Sequence, residues 1–181
     1  VMVDISPDTL NIDPSRIEAA ITSRTTAIVA THVYGNACDV VEIDRIAMKH
    51  GLKVIYDAAH AFGTKFAGKA LFAFGDVSTA SFHATKLFHT IEGGAVISRK
   101  PEVLRRMALL RNFGHTSPTE FDGIGINGKN SEFHAAMGLC NLKYVEHVLA
   151  TRHALSETYD ARLNTLPIKR PIIAKGCQYN F

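Results

Sequence analysis

Short apolar runs that alternate with helix-period segments narrow the fold more than any other feature of this chain. Residues 27–30 (Ala-Ile-Val-Ala), 52–56 (Leu-Lys-Val-Ile-Tyr) and 77–82 are short, apolar-rich runs of the kind that fill a parallel sheet. Between the first two, Asp39 and Glu42 make a capping-box-like helix start. The face of that helix is Val40, Ile43, Ile46 and Ala47, and Gly51 ends it. Residues 93–98 follow too soon after the preceding strand for a helical crossover, so they are predicted to run antiparallel to it. Asp13-Pro14 predicts a further helix start, with Ile17, Ala20 and Ile21 on one face. Pro101 opens a helix through about residue 110. Ser131 starts a long one, with Phe133, Ala136, Met137, Cys140, Tyr144 and Val148 at helical spacing, and another stretch covers about 151–163. Residues 62–75 read as loop. Residues 111–130 are polar and glycine-rich, and a loop of that length in a compact protein is usually functional or mobile. The predicted class is α/β: a three-layer α/β/α arrangement with a mostly parallel sheet and one antiparallel strand.

Composition removes several function classes. The chain is 46% apolar, and 20 Lys+Arg against 17 Asp+Glu leave a formal charge of +3, too small and scattered to argue for nucleic acid or a membrane surface. No apolar stretch approaches a membrane span, and no signal segment opens the chain. Cys38, Cys140 and Cys177 form no CxxC, which predicts reduced thiols in a cytoplasmic protein. His83 and His89 lack the spacing or cysteine partners of a metal site, so none is expected. No Walker loop and no GxGxxG after a strand is present, which disfavours a nucleotide-cofactor enzyme. Val1-Met2-Val3-Asp4-Ile5 and Cys177-Gln178-Tyr179-Asn180-Phe181 are both strand-like runs, which predicts an interior segment of a longer protein.

In sheets of this class ligands gather outside the carboxyl ends of the strands. Asp57 follows the run 52–56, and Ser81-Phe82-His83-Ala84-Thr85-Lys86 follows the run 77–80. A carboxylate at one strand end and a hydroxyl plus an amine at another are the groups that pyridoxal 5'-phosphate (PLP) needs. The amine forms a Schiff base with its aldehyde, and the carboxylate keeps the pyridine nitrogen protonated. Each residue also has an ordinary alternative: a solvent-facing lysine, a turn aspartate, a strand-end serine. His32 and Tyr34, just past residues 27–30, belong either to a substrate wall or to packing.

Seven motifs in order make the chain resemble the DegT/DnrJ/EryC1/StrS sugar aminotransferases, within the fold-type I PLP enzymes. They are His32-Val33-Tyr34-Gly35, Asp57-Ala58-Ala59-His60, Phe74-Gly75-Asp76, the Ser81–Lys86 hexapeptide, Glu92-Gly93-Gly94-Ala95, Arg111-Asn112-Phe113-Gly114 and the run from Gly125 to Glu132. The resemblance covers roughly residues 1–165. It implies that these form a partial PLP-binding large domain and that 166–181, past the break at Leu166-Pro167, begin a small C-terminal domain. It implies Lys86 as the Schiff-base lysine and later proton shuttle, Asp57 as partner of the pyridine nitrogen and His60 close to the ring's 3-hydroxyl. Ser81 is implied as a phosphate ligand, and Asn127 as a phosphate ligand donated by the neighbouring subunit of a homodimer with shared active sites. Lys129 stands where many relatives carry arginine, and the two are not equivalent at an anion. The implied reaction moves an amino group, with L-glutamate as donor, to a nucleotide-linked keto-sugar. A dehydratase branch of the family replaces the lysine with histidine, and Lys86 argues against it. A second rival is a chain without activity, because the family's N-terminal Gly/Ser/Thr phosphate segment and most of the small domain are absent from these residues.

Overall fold

The computed structural model describes residues 1–181. A 3-10 turn, Pro14–Arg16, runs into a single α-helical turn, α1 (Ile17–Ala20). Asp13 caps it, its Oδ1 accepting from the Ser15 N–H at 3.0 Å. The predicted helix goes no further, because Ile21 leaves in extended conformation (φ −74°, ψ 134°).

Strand β1 (Ala27–Thr31), helix α2 (Val40–His50) and strand β2 (Lys53–Asp57) form a βαβ unit with parallel register from Ala27↔Lys53 to Thr31↔Asp57. Asp39 accepts from the Glu42 N–H at 3.0 Å, and Gly51 closes the helix at φ 64°, where a side chain would be strained. Val40, Ile43, Ile46 and Ala47 are buried against Ile28, Ala30, Val54 and Tyr56, and this is the main core. Each isoleucine of α2 that leaves water there stabilises the fold by about 1.5–3 kcal/mol.

The connection from residue 58 to 76 differs from the expected plain loop. It carries a hairpin of β3 (Lys65–Phe66) and β4 (Lys69–Ala70), then a 3-10 turn at Leu71–Ala73. Its two-residue turn, Ala67-Gly68, has both φ values positive (49° and 76°). That is the primed geometry that usually announces itself as Asn-Gly or Asp-Gly. Strand β5 (Val77–Ser81) then pairs parallel with β2, and β6 (Gly94–Ile97) pairs antiparallel with β5, as the short connection predicts. The sheet order is β1-β2-β5-β6, so β1 and β6 are its edges. Val54, Tyr56, Ser78 and Ala80 are buried on one face, while Asp57, Thr79 and Ser81 lie on the other.

Helices α3 (Pro101–Leu110), α4 (Glu132–Leu142) and α5 (Val145–Leu163) complete the helical set. The helix predicted from Ser131 breaks at Lys143–Tyr144, earlier than its apolar spacing suggests. The Tyr144 N–H bonds to Asn141 O at 3.0 Å, a tightened i−3 contact, while the Asn141 side chain donates to His89 O at 2.9 Å. Its expected apolar face is not a core face: Phe133 is 86% exposed, and α5 has no buried residue at all. Finally β7 (Cys177–Gln178) adds antiparallel to β3, and the stretch before it is tied back by the Ile172 N–H to Asp8 O at 2.7 Å.

Candidate active site

Asp57 ends β2 and Ser81 ends β5. Asp57 is in register with Thr79, so Ser81 lies two residues further along on the same face. Asp57 Oδ1 accepts from the Ala59 N–H at 3.0 Å, the local turn contact of a strand-end aspartate; its other oxygen has no partner in the chain. His32 takes its place behind this point as core. Its N–H donates to Asp57 O at 2.9 Å, its ring stacks on Tyr56 at 4.6 Å, and its Nδ1 accepts from the Cys38 N–H at 3.0 Å. Burial pushes the His32 pKa down to about 4, against the pull of nearby Asp57, so the ring is neutral at neutral pH.

Lys86 sits in the loop between β5 and β6, its N–H donating to His83 O at 2.9 Å. Beneath the loop, Phe88 stacks on Phe62 at 4.4 Å and meets Phe82 edge-on at 5.1 Å. Phe62 belongs to the segment after β2, so this aromatic cluster fastens the lysine loop to the loop that carries His60. His60 and Lys86 accordingly line one cavity of about 370 Å³, together with Tyr34, Thr85, Arg152 and residues 179–181. A larger cavity of about 740 Å³, along α5, holds none of the predicted site residues.

Three buried asparagines stitch the loops around this cavity. Asn11 donates to Asn36 O and Ala37 O and accepts from the Val33 N–H at 2.9 Å. Asn36 bonds Ile172 O at 2.8 Å and the Ala174 N–H at 2.9 Å. Asn180 donates to His60 O at 2.7 Å and Phe62 O at 2.9 Å, and Arg152 Nε reaches Asn180 O at 3.3 Å. Tyr179 OH donates to Tyr34 O at 2.9 Å. Arg152 and residues 179–181 are the site residues that motif reasoning missed. Their only sequence signal is a polar residue set between two aromatics.

Asn127 stands apart from the cavity. It lies in the glycine-rich segment after α3, exposed, pinned by a bridge to Asn112, and its Oδ1 accepts from Lys129 Nζ at 2.6 Å. Lys129 also sits over the Phe113 ring at 4.1 Å. The segment is folded on itself, with a second bridge between His115 and Phe121.

The donor set suits PLP. Lys86 puts an amine on the wall of a cavity within the size range of small-ligand sites, about 300–1,000 Å³, while the Asp57 carboxylate, with one uncommitted oxygen, and the Ser81 hydroxyl share a face of the sheet outside that cavity's lining. No helix is long and apolar enough to cross a membrane.

Comparisons with known proteins bear on the family and the fold. The model of the DegT/DnrJ/EryC1/StrS aminotransferase family matches residues 1–177. The dTDP-4-amino-4,6-dideoxy-D-glucose transaminase of Shigella dysenteriae is 48% identical over 176 residues, which are 97% of this chain and 48% of that protein. The GDP-perosamine synthase of Caulobacter vibrioides is 38% identical over 168 residues, 92% of this chain and 45% of its own. Among solved structures, DesV of S. venezuelae in complex with a ketimine intermediate superposes with a TM-score of 0.93 at 32% identity, covering 99% of this chain and 49% of that one. The chain spans about half the length of the curated relatives it matches. Its mixed sheet with flanking helices is the fold-type I arrangement of these aminotransferases. With the family model matching nearly every residue, the chain belongs to the DegT/DnrJ/EryC1/StrS aminotransferase family.

Proposed function

We propose that the protein is a PLP-dependent aminotransferase that moves an amino group, from L-glutamate, onto a nucleotide-linked keto-sugar. The observation that carries this reading is the shared cavity of Lys86 and His60; Asp57 and Ser81 end β2 and β5 on one face of the sheet and are not part of that cavity's lining. Bound PLP supplies an aldehyde for the amine and a ring that accepts electrons.

The chain's own residues then have distinct tasks. Lys86 Nζ would hold the cofactor and would serve as the base that takes the proton from the donor's α-carbon. Asp57, through its uncommitted oxygen, holds a proton on the ring nitrogen. The Ser81 hydroxyl donates to a phosphate oxygen, and His60 orients the ring at its 3-hydroxyl. Asn127 reaches a partner's phosphate site across a homodimer interface, a role supported by its exposure and its place on a self-braced loop whose Ile124 is 92% exposed. Residues 166–181 lead into the second domain.

The test uses the full-length protein. It should be yellow, borohydride should fix the chromophore to the peptide containing Lys86, and Lys86→Ala should abolish the band and turnover. Activity is measured with glutamate against dTDP-, UDP- and GDP-linked keto-sugars. A colourless protein, or label on another lysine, overturns the reading.

A further inference from the structure

We infer that His83 is a positioning residue that ties the two cofactor anchors, Ser81 and Lys86, into one rigid turn; the inference rests on the cofactor reading above. The turn is built around this one residue, through its main chain to Ser81 and Lys86 and through its ring to Thr85 and Glu92. The His83 N–H donates to Ser81 Oγ at 3.4 Å, and the His83 carbonyl accepts from the Lys86 N–H at 2.9 Å. Its ring Nδ1 accepts from the Thr85 N–H at 3.2 Å and meets Thr85 Oγ1 at 2.9 Å. Its Nε2 lies 3.5 Å from Glu92 Oε1.

The protonation pattern follows from these contacts. A main-chain N–H can only donate, so Nδ1 carries the lone pair and the neutral ring holds its proton on Nε2, facing the Glu92 carboxylate. The Thr85 hydroxyl therefore donates to Nδ1 as well. Ser81 Oγ accepts from His83 and so keeps its own proton free for an anion. Glu92 lies in the bend just before β6, where the Phe82 N–H bonds Gly93 O at 2.8 Å, so the imidazole bridges the two arms of the lysine loop. Both side chains are largely exposed, which makes the Glu92 contact the weaker of the two. The Nδ1 contacts with Thr85 do most of the holding.

The experiment separates this role from general stability. In the cofactor-free full-length protein, His83→Ala should speed hydrogen exchange of the Thr85 amide, which loses its Nδ1 acceptor, about tenfold, leaving the urea midpoint unchanged. PLP affinity, read from the visible band, should weaken about tenfold. His83→Asn places an amide oxygen where Nδ1 was and should restore both readouts. His83→Gln, whose amide sits where Nε2 was, should not. Wild-type exchange in His83→Ala, or rescue by Gln and not by Asn, overturns the inference. If wild-type protein takes up no PLP, the anchoring role falls with the cofactor reading, and unchanged His83→Ala exchange would refute the turn itself independently.

Discussion

Replacing Asn180 should loosen the whole cavity wall, and the size of the effect can be worked from its contacts. Its amide donates to two main-chain carbonyls of the loop after β2, His60 and Phe62, and the residue is 3% exposed. Alanine would leave both acceptors facing a gap. Two neutral hydrogen bonds plus part of the desolvation of the orphaned carbonyls amount to about 2–4 kcal/mol. That is a large share of the about 5–15 kcal/mol that holds a typical protein folded. With a urea slope of about 2 kcal/mol/M, the midpoint of the full-length protein should fall by about 1–2 M with the slope unchanged. Asn180→Asp is the sharper probe. It is nearly isosteric but turns the donor into a carboxylate aimed at two carbonyl oxygens, so at pH 7 it should be at least as destabilised as the alanine variant. It should recover relative to alanine as falling pH returns a proton that can be donated. Equilibrium urea unfolding followed by circular dichroism measures both variants. Midpoints within about 0.2 M of wild type for both would refute the reasoning.

Gly35→Ala should be poorly tolerated: φ is +83°, and a Cβ there would lie 2.6 Å from both His60 O and Asn180 Oδ1. A loss of more than about 2 kcal/mol is expected, and an unchanged melting temperature would count against it. Asp76 braces the start of β2 and β5, accepting from the Val54 N–H at 2.8 Å and pairing with Lys100 and, at 3.9 Å, Lys53. Partial burial pushes its carboxyl up, but Lys100, the Val54 N–H and Lys53 outweigh that and hold it below the usual range. Its contribution is therefore present above the ordinary carboxylate pKa of about 3.9 and lost as pH falls through the depressed value. Asp76→Asn should lower stability by about 1–3 kcal/mol at neutral pH, with the gap to wild type closing in acid; a gap that persisted to about pH 2 would contradict this.

Much of the frame was legible because local chemistry and tertiary structure agree. Asp39, Glu42 and Gly51 mark both ends of α2, and the short step from Lys86 to Gly94 foretold the antiparallel β6. Lys86 and His60 were found by motif and do share a cavity. What escaped depends on distant partners. Asn180 meets His60 across 120 residues of chain, and no local pattern encodes that pairing. The β3–β4 hairpin turns on Ala67-Gly68, where alanine in a left-handed conformation is an uncommon choice. The spacing after Ser131 runs one helix through the break at Lys143–Tyr144, because periodicity does not report the distant Asn141–His89 contact beside that break.

Strand β1 has a hydrogen-bonded neighbour on one flank only, β2. Its free flank is a row of unspent amides and carbonyls, which works as a docking rail for any extended peptide of suitable register. A strand laid along that flank would extend the sheet, and an uncovered edge of this kind is prone to pair with other chains.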